Sequence, residues 1–389
     1  PPAARECRVS SIEAPRLPTM SPNRFSIMLT LAMLGFAAAF LPSTSPTSCK
    51  AAAFSRAGNG QNSLKMSVWS DQRPARDYMN NIQGAWDEEL PGDCPSTIIG
   101  ASGRIGNLLA SVGPNDVLLN RGDSIPAGGT GPIYVCTRND DLDDIITNCP
   151  PERKEDLVFM QNGYIEVYLK DRGCADNTQA LLYFAVAKKG DKPIDGVIPS
   201  VPEGLTCATG KWANAFKERL DKVNLKCEVM AYKEYRKAMF EKLIWISAFM
   251  LVGTAEGCKN IQETLGKADL VEEVVEEMRG AICSRTAILF SNGLFTRLAE
   301  YSLAVKHFPV AVKEWEWRNG YFWAISRNQV RTSRPGMLGH PDRYGKREEI
   351  PHGEAADKLP LHTQLVKRCK EIGAIAFELP EDEGGVKLY

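Results

Sequence analysis

The sequence predicts an α/β half followed by an all-α half, on three observations. Short apolar runs alternate with helix-like stretches from Ser96 to about Asn162. The first of these runs enters a glycine-rich turn, Gly100 to Gly106. From about Lys233 the apolar residues recur at helical spacing instead. Strand–helix–strand alternation with short links favours a parallel sheet with right-handed crossovers. The boundaries read as a leader over 1–70, a linker over 71–95, an α/β half over 96–230 and a helical half over 231–389, with a polar insertion at 327–358.

At 389 residues the chain is long enough for two domains with their own cores. Its 43% hydrophobic and 24% charged content is that of an ordinary soluble globular protein. A formal net charge of −1 supplies no field for capturing nucleic acid or an acidic membrane, so neither is an expected partner of the mature form. The eleven cysteines include no Cys-x-x-Cys pair, and His307, His340, His352 and His362 lack metal-ligand spacing. Reduced, structural thiols and no metal site are expected.

Residues 1–70 read as targeting sequence. The chain begins at Pro1, and Met20 is the expected initiator. Arg24 precedes the apolar run Ile27 to Phe40, which closes in Ala37-Ala38-Ala39-Phe40. That is signal-peptide patterning with cleavage before Phe40, and the run is short for a membrane span. Leu41 to Ser70 is rich in Ser, Ala and Thr, carries Lys and Arg, and has no Asp or Glu, which is transit-peptide composition. The two together resemble the bipartite presequences of algae with secondary plastids and imply delivery to the plastid (chloroplast) stroma. The alternative is a secreted protein with a low-complexity spacer; the thiol pattern favours the reducing stroma.

Ser96-Thr97-Ile98-Ile99 reads as a buried strand that runs into Gly100-Ala101-Ser102-Gly103-Arg104-Ile105-Gly106 and then the helix start Asn107-Leu108-Leu109-Ala110. Such a turn lets backbone amides approach a pyrophosphate at a helix N-terminus, as in Rossmann-like domains. The spacing is G-x-x-G-x-x-G rather than the strict fingerprint, and packing alone also demands glycine at such turns. A second strand, Asp116 to Asn120, ends in Arg121. An acidic residue there suits NAD, whereas arginine suits the extra phosphate of NADP; a solvated surface arginine is the alternative. A third strand, Pro132 to Thr137, and a fourth, Asp156 to Met160, follow; the fourth ends in Gln161-Asn162-Gly163. Ligands of such sheets lie beyond the carboxyl ends of the strands, and Gly100, Arg121, Thr137 and Asn162 all occupy such ends.

In the helical half, Tyr235 to Gly253 is apolar on most faces and predicts a buried helix. Lys242 stands where its apolar run begins. Burying a lysine is costly unless its charge is paired or its pKa falls. Lys242 is therefore either a helix-end lysine snorkelling to water or a proton donor facing the cleft. Gly257 to Arg279 continues as an acidic amphipathic helix. Ser302 and the segment Lys313 to Phe322, with its tryptophans and glutamates, come next, and such aromatics are more often core than ligand box.

Taken together the set resembles the ketopantoate reductase family, related more distantly to 6-phosphogluconate dehydrogenase C-terminal-like proteins, over roughly residues 97 to 376. In that family an Asn-Gly pair at a strand end meets nicotinamide and substrate, and Asn162-Gly163 stands there. The lysine that protonates the reduced carbonyl matches Lys242 in Glu241-Lys242-Leu243. A serine twelve positions before a Glu-x-(Asp/Glu)-aromatic-x-Asn-Gly string matches Ser302 and Glu314-Trp315-Glu316-Trp317-Arg318-Asn319-Gly320, and Leu361 to Glu371 resembles the closing helix. The departures are equally specific. Ile246 and Met250, on the lysine's own helix face, replace two pocket asparagines. Thr137 and Arg138 occupy the neighbourhood of the family's cofactor-side lysine. The stretch from Arg121 to Pro132 is short by one βα unit, and the insertion at 327–358 has no counterpart.

The resemblance implies a shortened Rossmann-like sheet domain followed by a helical ketopantoate reductase-type domain, in a divergent plastid member. It implies an NADP-dependent (NADPH) reductase of a carbonyl or imine in a small molecule. Lys242 would give the proton, Asn162 and Ser302 would position substrate, and Glu314 would orient it or meet the cofactor ribose. The cofactor set would be Gly100, Ser102, Gly103, Arg104, Ile105, Gly106, Arg121 and Thr137. A non-catalytic NADP-binding sensor or scaffold that keeps the fold is the competing expectation, and pantoate synthesis itself is not expected. Helical domains of this kind often form homodimers.

Overall fold

The structure is a computed structural model and describes residues 90–286, 288–327 and 357–379. The leader, most of the linker and most of the polar insertion lie outside the described residues.

The first half is a seven-stranded sheet: β1 (Thr97–Ile99), β2 (Val117–Leu119), β3 (Ile133–Val135), β4 (Leu157–Phe159), β5 (Thr178–Leu181), β6 (Cys207–Thr209) and β7 (Glu228–Val229). The order across the sheet is β2-β1-β3-β4-β5-β6-β7. β1, β3 and β4 are short apolar runs buried along their length, which suits parallel strands covered on both faces. One face carries Ile98, Tyr134, Val158 and Ala208 against helices α1 (Arg104–Ala110) and α4 (Ala213–Asp221). The other carries Ile133, Val135 and Phe159 against α2 (Leu142–Asn148) and α3 (Glu166–Asp171). No helix or strand lies between Arg121 and Pro132, so β2 is left as the sheet edge, with Val117 and Leu118 about half exposed. That is the shortening expected from the sequence.

The sheet is parallel except at one pairing: β5 and β6 run antiparallel, Gln179 opposite Thr209. The connection between them, 182–206, contains no helix, only isolated bridges such as Ala185 with Ile194. Without a crossover helix the chain cannot return to the same end of the sheet, so it comes back reversed.

The second half opens with α5 (Tyr232–Ala255), followed by α6 (Ile261–Leu265), α7 (Ala268–Thr286), α8 (Leu294–Ala304), α9 (Asn319–Ser326) and α10 (Pro360–Glu371). The single acidic helix expected over 257–279 is instead two. Asn260 Oδ1 accepts from Glu263 N at 3.0 Å to cap α6, which stops at Gly266. α5 is long and apolar enough to cross a bilayer, but Phe240, Ile244, Phe249, Leu251 and Val252 are fully buried within the helical core. Trp317 belongs to the sheet's core rather than the helical one and meets Tyr168 edge-on at 5.1 Å. It fastens the aromatic string to β4 and α3.

Candidate functional site

The carboxyl ends of β1, β3, β4 and β5 share one side of the sheet because these strands are parallel. The glycine turn follows β1. Gly100 has φ +79°, and its N–H donates to Leu119 O at 2.9 Å. A Cβ on Gly106 would collide with the Gly100 carbonyl, so the first turn of α1 can lie against the turn only with glycine there. Ala101 N also donates to Leu119 O, and Gly103 N to Gly100 O. The first-turn amides of Arg104, Ile105 and Gly106 have no intrahelical partner, and Ser102, Gly103 and Arg104 are exposed. Arg104 also reaches Val186 O at 3.2 Å.

Past β2, the Arg121 side chain is 94% exposed and 4.0 Å from Asp141, too weak a pairing to hold it. Past β3, Thr137 is half-buried. The neighbouring Gln161 amide donates to Val135 O at 2.9 Å and to Thr137 O at 3.2 Å, which ties the end of β4 to the end of β3. Asn162 is half-buried, and its carbonyl accepts from Asn139 Nδ2 at 3.1 Å. Gly163 has φ +103°, and a Cβ there would stand 2.5 Å from Trp317 O. Tyr164 N donates to that same oxygen at 2.7 Å. The Asn-Gly pair and the Glu314–Gly320 string, about 150 residues apart in sequence, are thus locked together. Gly163→Ala should cost about 2 kcal/mol or more, from strain plus overpacking, visible as a lowered Tm; an unchanged Tm would contradict this lock.

Lys242 is 5% exposed. Its ammonium donates to Leu182 O, the first carbonyl past β5, and lies 4.8 Å from the Tyr183 ring centroid. It makes no ion pair among the described residues. Burial pulls its pKa down to about 7, helped by the positive charge of Arg318. Arg318 is in turn paired with Glu314 and has its own pKa lowered by burial. Glu314 adopts a left-handed backbone, φ 48° and ψ 53°, a conformation that costs about 1–2 kcal/mol for a residue with a Cβ. It is held there by the buried tryptophans that follow and by Arg318. Lys242 therefore does not snorkel to water, and the structure links it electrostatically to the Glu314 string.

Ser302 lies in the helical half. It is fully buried on α8, accepts from Trp245 Nε1 at 2.8 Å and donates to Leu298 O at 2.8 Å. Both bonds are internal to the helical half. Ile246 is buried and Met250 half-buried in the helical core. Three side chains near these residues were not singled out in the sequence: Gln161, Arg236 and Arg318. Arg236 is 5% exposed, and its Nε donates to Glu166 at 2.7 Å. Its neighbours Lys233, Glu234 and Lys237 are also charged, so the sequence does not mark it out.

No family model matches the sequence, and no curated protein matches it either. Solved structures do resemble it. A PanE/ApbA-family ketopantoate reductase from Ralstonia eutropha JMP134 has 13% identity and a TM-score of 0.49, covering 71% of this chain and 99% of that one. A dimeric ketopantoate reductase from Staphylococcus aureus has 15% identity and a TM-score of 0.46, covering 71% and 99%. A D-mandelate dehydrogenase in a ternary structure with NADH and anilino(oxo)acetate has 13% identity and a TM-score of 0.46, covering 72% and 100%.

Proposed function

We propose that this chain is an NADP-dependent reductase of a carbonyl or imine in a small molecule, with Lys242 as the proton donor. The observation that carries the reading is Lys242 itself: a buried amine with a pKa of about 7, past the carboxyl end of β5. A donor of that pKa is poised for general acid catalysis at neutral pH. The residues present fit a nicotinamide dinucleotide. The glycine turn has no room for a Cβ at Gly106, and Arg236 Nη2 is buried without a partner beside Gly163. When bound, the reduced cofactor would supply the hydride. Gly100, Ser102, Gly103, Arg104, Ile105, Gly106 and Thr137 would line its phosphates and ribose. Arg121, free of a strong partner, would meet the extra phosphate of NADP. Lys242 holds the proton at Nζ and passes it to the substrate heteroatom. Asn162 and Glu314 position the substrate, and Arg318 keeps the lysine's proton labile. The apolar Ile246 and Met250 favour a less polar substrate than pantoate chemistry requires.

Incubating the full chain with NADPH and a panel of aldehydes, ketones and cyclic imines tests this; loss of NADPH absorbance is expected with at least one, and none with any would defeat it. Arg121→Ala should weaken NADPH binding by roughly 10- to 100-fold, the worth of a charge-assisted phosphate contact. NADH binding should be unaltered, and equal losses for both cofactors would contradict the role given to Arg121.

A second reading, a non-catalytic NADP-binding sensor or scaffold, is favoured by one observation: Ser302 spends both hydrogen bonds in the core. Tight NADPH binding without turnover would select it. We also infer a plastid setting and a homodimer through the helical half. The first is supported by the leader composition and by free thiols at every described cysteine. The second is supported by the exposed Leu289 and Leu303.

A further inference from the structure

Past the carboxyl end of β5 the chain enters the helix-free connection 182–206, and its first two residues meet Lys242. The Leu182 carbonyl accepts from the ammonium, and the Tyr183 ring centroid lies 4.8 Å from Nζ. The tyrosine is itself fixed from several sides. Its N–H donates to the buried Thr206 Oγ1 at 2.9 Å, and its carbonyl accepts from the Tyr301 hydroxyl at 3.5 Å. The two tyrosine rings meet edge-on at 4.8 Å. Gly196 packs so closely on the Tyr183 carbonyl that a Cβ there would stand 2.2 Å from the oxygen.

A lysine has a long flexible stem, so in a buried site only its contacts choose where the ammonium rests. The charged and titratable groups around Nζ do not make that choice. Arg318, from the string that Glu314 opens, repels it. The Cys207 thiol on β6 is kept neutral by burial. Glu241, beside it in sequence on α5, is paired with Arg297 at 2.7 Å. The Leu182 carbonyl and the Tyr183 ring are the favourable partners that remain. A ring face carries the negative side of the aromatic quadrupole, so it attracts the ammonium and has little hold on the neutral amine. The Tyr183 hydroxyl is not a rival acid, because burial and then the Glu241 charge hold its pKa well above the usual tyrosine value. What Tyr183 offers the lysine is its ring.

We propose that Tyr183 is a positioning residue for the proton transfer: its ring face, acting with the Leu182 carbonyl, holds the Lys242 ammonium in the orientation from which the proton leaves. The assignment rests on the reductase reading above, in which Lys242 is the acid.

The test changes the ring's electronics without its size. Tyr183→Phe removes only the hydroxyl, pentafluorophenylalanine in place of Tyr183 keeps the shape and reverses the quadrupole, and Tyr183→Leu removes the ring. Lys242 is followed directly in the full chain through the carbon-13 resonance of its Cε, assigned by its loss in Lys242→Met. Its role is followed through the pH–rate profile with NADPH and a carbonyl or imine that wild type reduces. The wild-type midpoint, about 7, should fall by about one pH unit with the fluorinated ring and with leucine, the size of a desolvated cation–π contact. Tyr183→Phe should recover most of that shift. Because the acid must be protonated, the decline of kcat with rising pH should move down with the midpoint, while KM for NADPH stays. The fluorinated variant carries the test alone if Tyr183→Leu does not fold. An unshifted midpoint in that variant would overturn the proposal and leave the reductase reading standing. A shifted midpoint with an unmoved kcat profile would also overturn it, since the ring would then touch the lysine but not the reaction. If wild type oxidises NADPH with no substrate, the reductase reading falls and the positioning role falls with it.

Discussion

Lys242→Met is expected to abolish most turnover, by roughly 10²- to 10⁴-fold, the usual worth of a positioned general acid, while making the protein more stable at pH 7. Both effects follow from one burial. The amine has no carboxylate partner among the described residues, and its pKa falls from 10.5 in the open to about 7 in the fold. Between those values the unfolded chain binds a proton that the folded chain releases. Wild-type stability should therefore rise with pH from about 7 to about 10.5, the group contributing several kcal/mol over the whole window. Methionine fills nearly the same volume without a charge to desolvate, so the variant should lose this slope and exceed wild type at and below pH 7. The same pKa sets the kinetics. Reduction needs the protonated amine, so kcat should fall as pH rises through about 7. Urea midpoints at three pH values and a pH–rate profile check the two arms. A methionine variant less stable than wild type at pH 7, or one with full activity, would count against Lys242 as a buried acid.

Arg219→Met should produce the largest loss of stability in the sheet half, about 3–5 kcal/mol, the cost of stranding buried charges. Arg219 is fully buried on α4, and its guanidinium reaches Asp93 Oδ1 at 2.7 Å, Asp116 Oδ2 at 2.7 Å and Ser96 Oγ at 2.8 Å. Both carboxylates are themselves buried, at 4% and 3% exposure. Asp116 also accepts from Ser96 N at 2.9 Å, so this one arginine joins α4, the start of β1 and the start of β2. Removing it leaves Asp116 with only neutral donors, while Asp93 keeps Lys222 at 2.5 Å. The Tm should drop by roughly 10 °C, and adding Asp116→Asn should restore part of it. The cluster lies at the amino ends of the strands, away from the cleft, so affinity for NADPH should survive at low temperature. A shift of only one or two degrees would mean that the ion cluster contributes little.

The sheet's first four strands were legible because each is a short, mostly apolar run bounded by polar residues, Gly or Pro, and β5 onward was not. Thr178–Leu181 and Cys207–Thr209 are only half apolar, and they are fixed by long-range pairing rather than by pattern. The antiparallel turn of β6 depends on what a 25-residue connection does not contain, which no local signal reports. Asn162, Lys242 and Glu314 are candidates because of their motifs, and the structure brings the Asn162-Gly163 pair against the string that Glu314 opens. For Ser302 the sequence could not report that Trp245 donates to its hydroxyl, a contact 57 residues apart in the chain. Arg236 escaped notice because its burial and the unpaired Nη2 are properties of the folded surroundings only.

Titration of the full chain with NADPH and with NADH, followed by quenching of tryptophan fluorescence, bears most directly on the proposed nucleotide binding from which the whole reading grows. Saturable binding with NADPH held more tightly than NADH is the expected result; failure to bind either cofactor would contradict it.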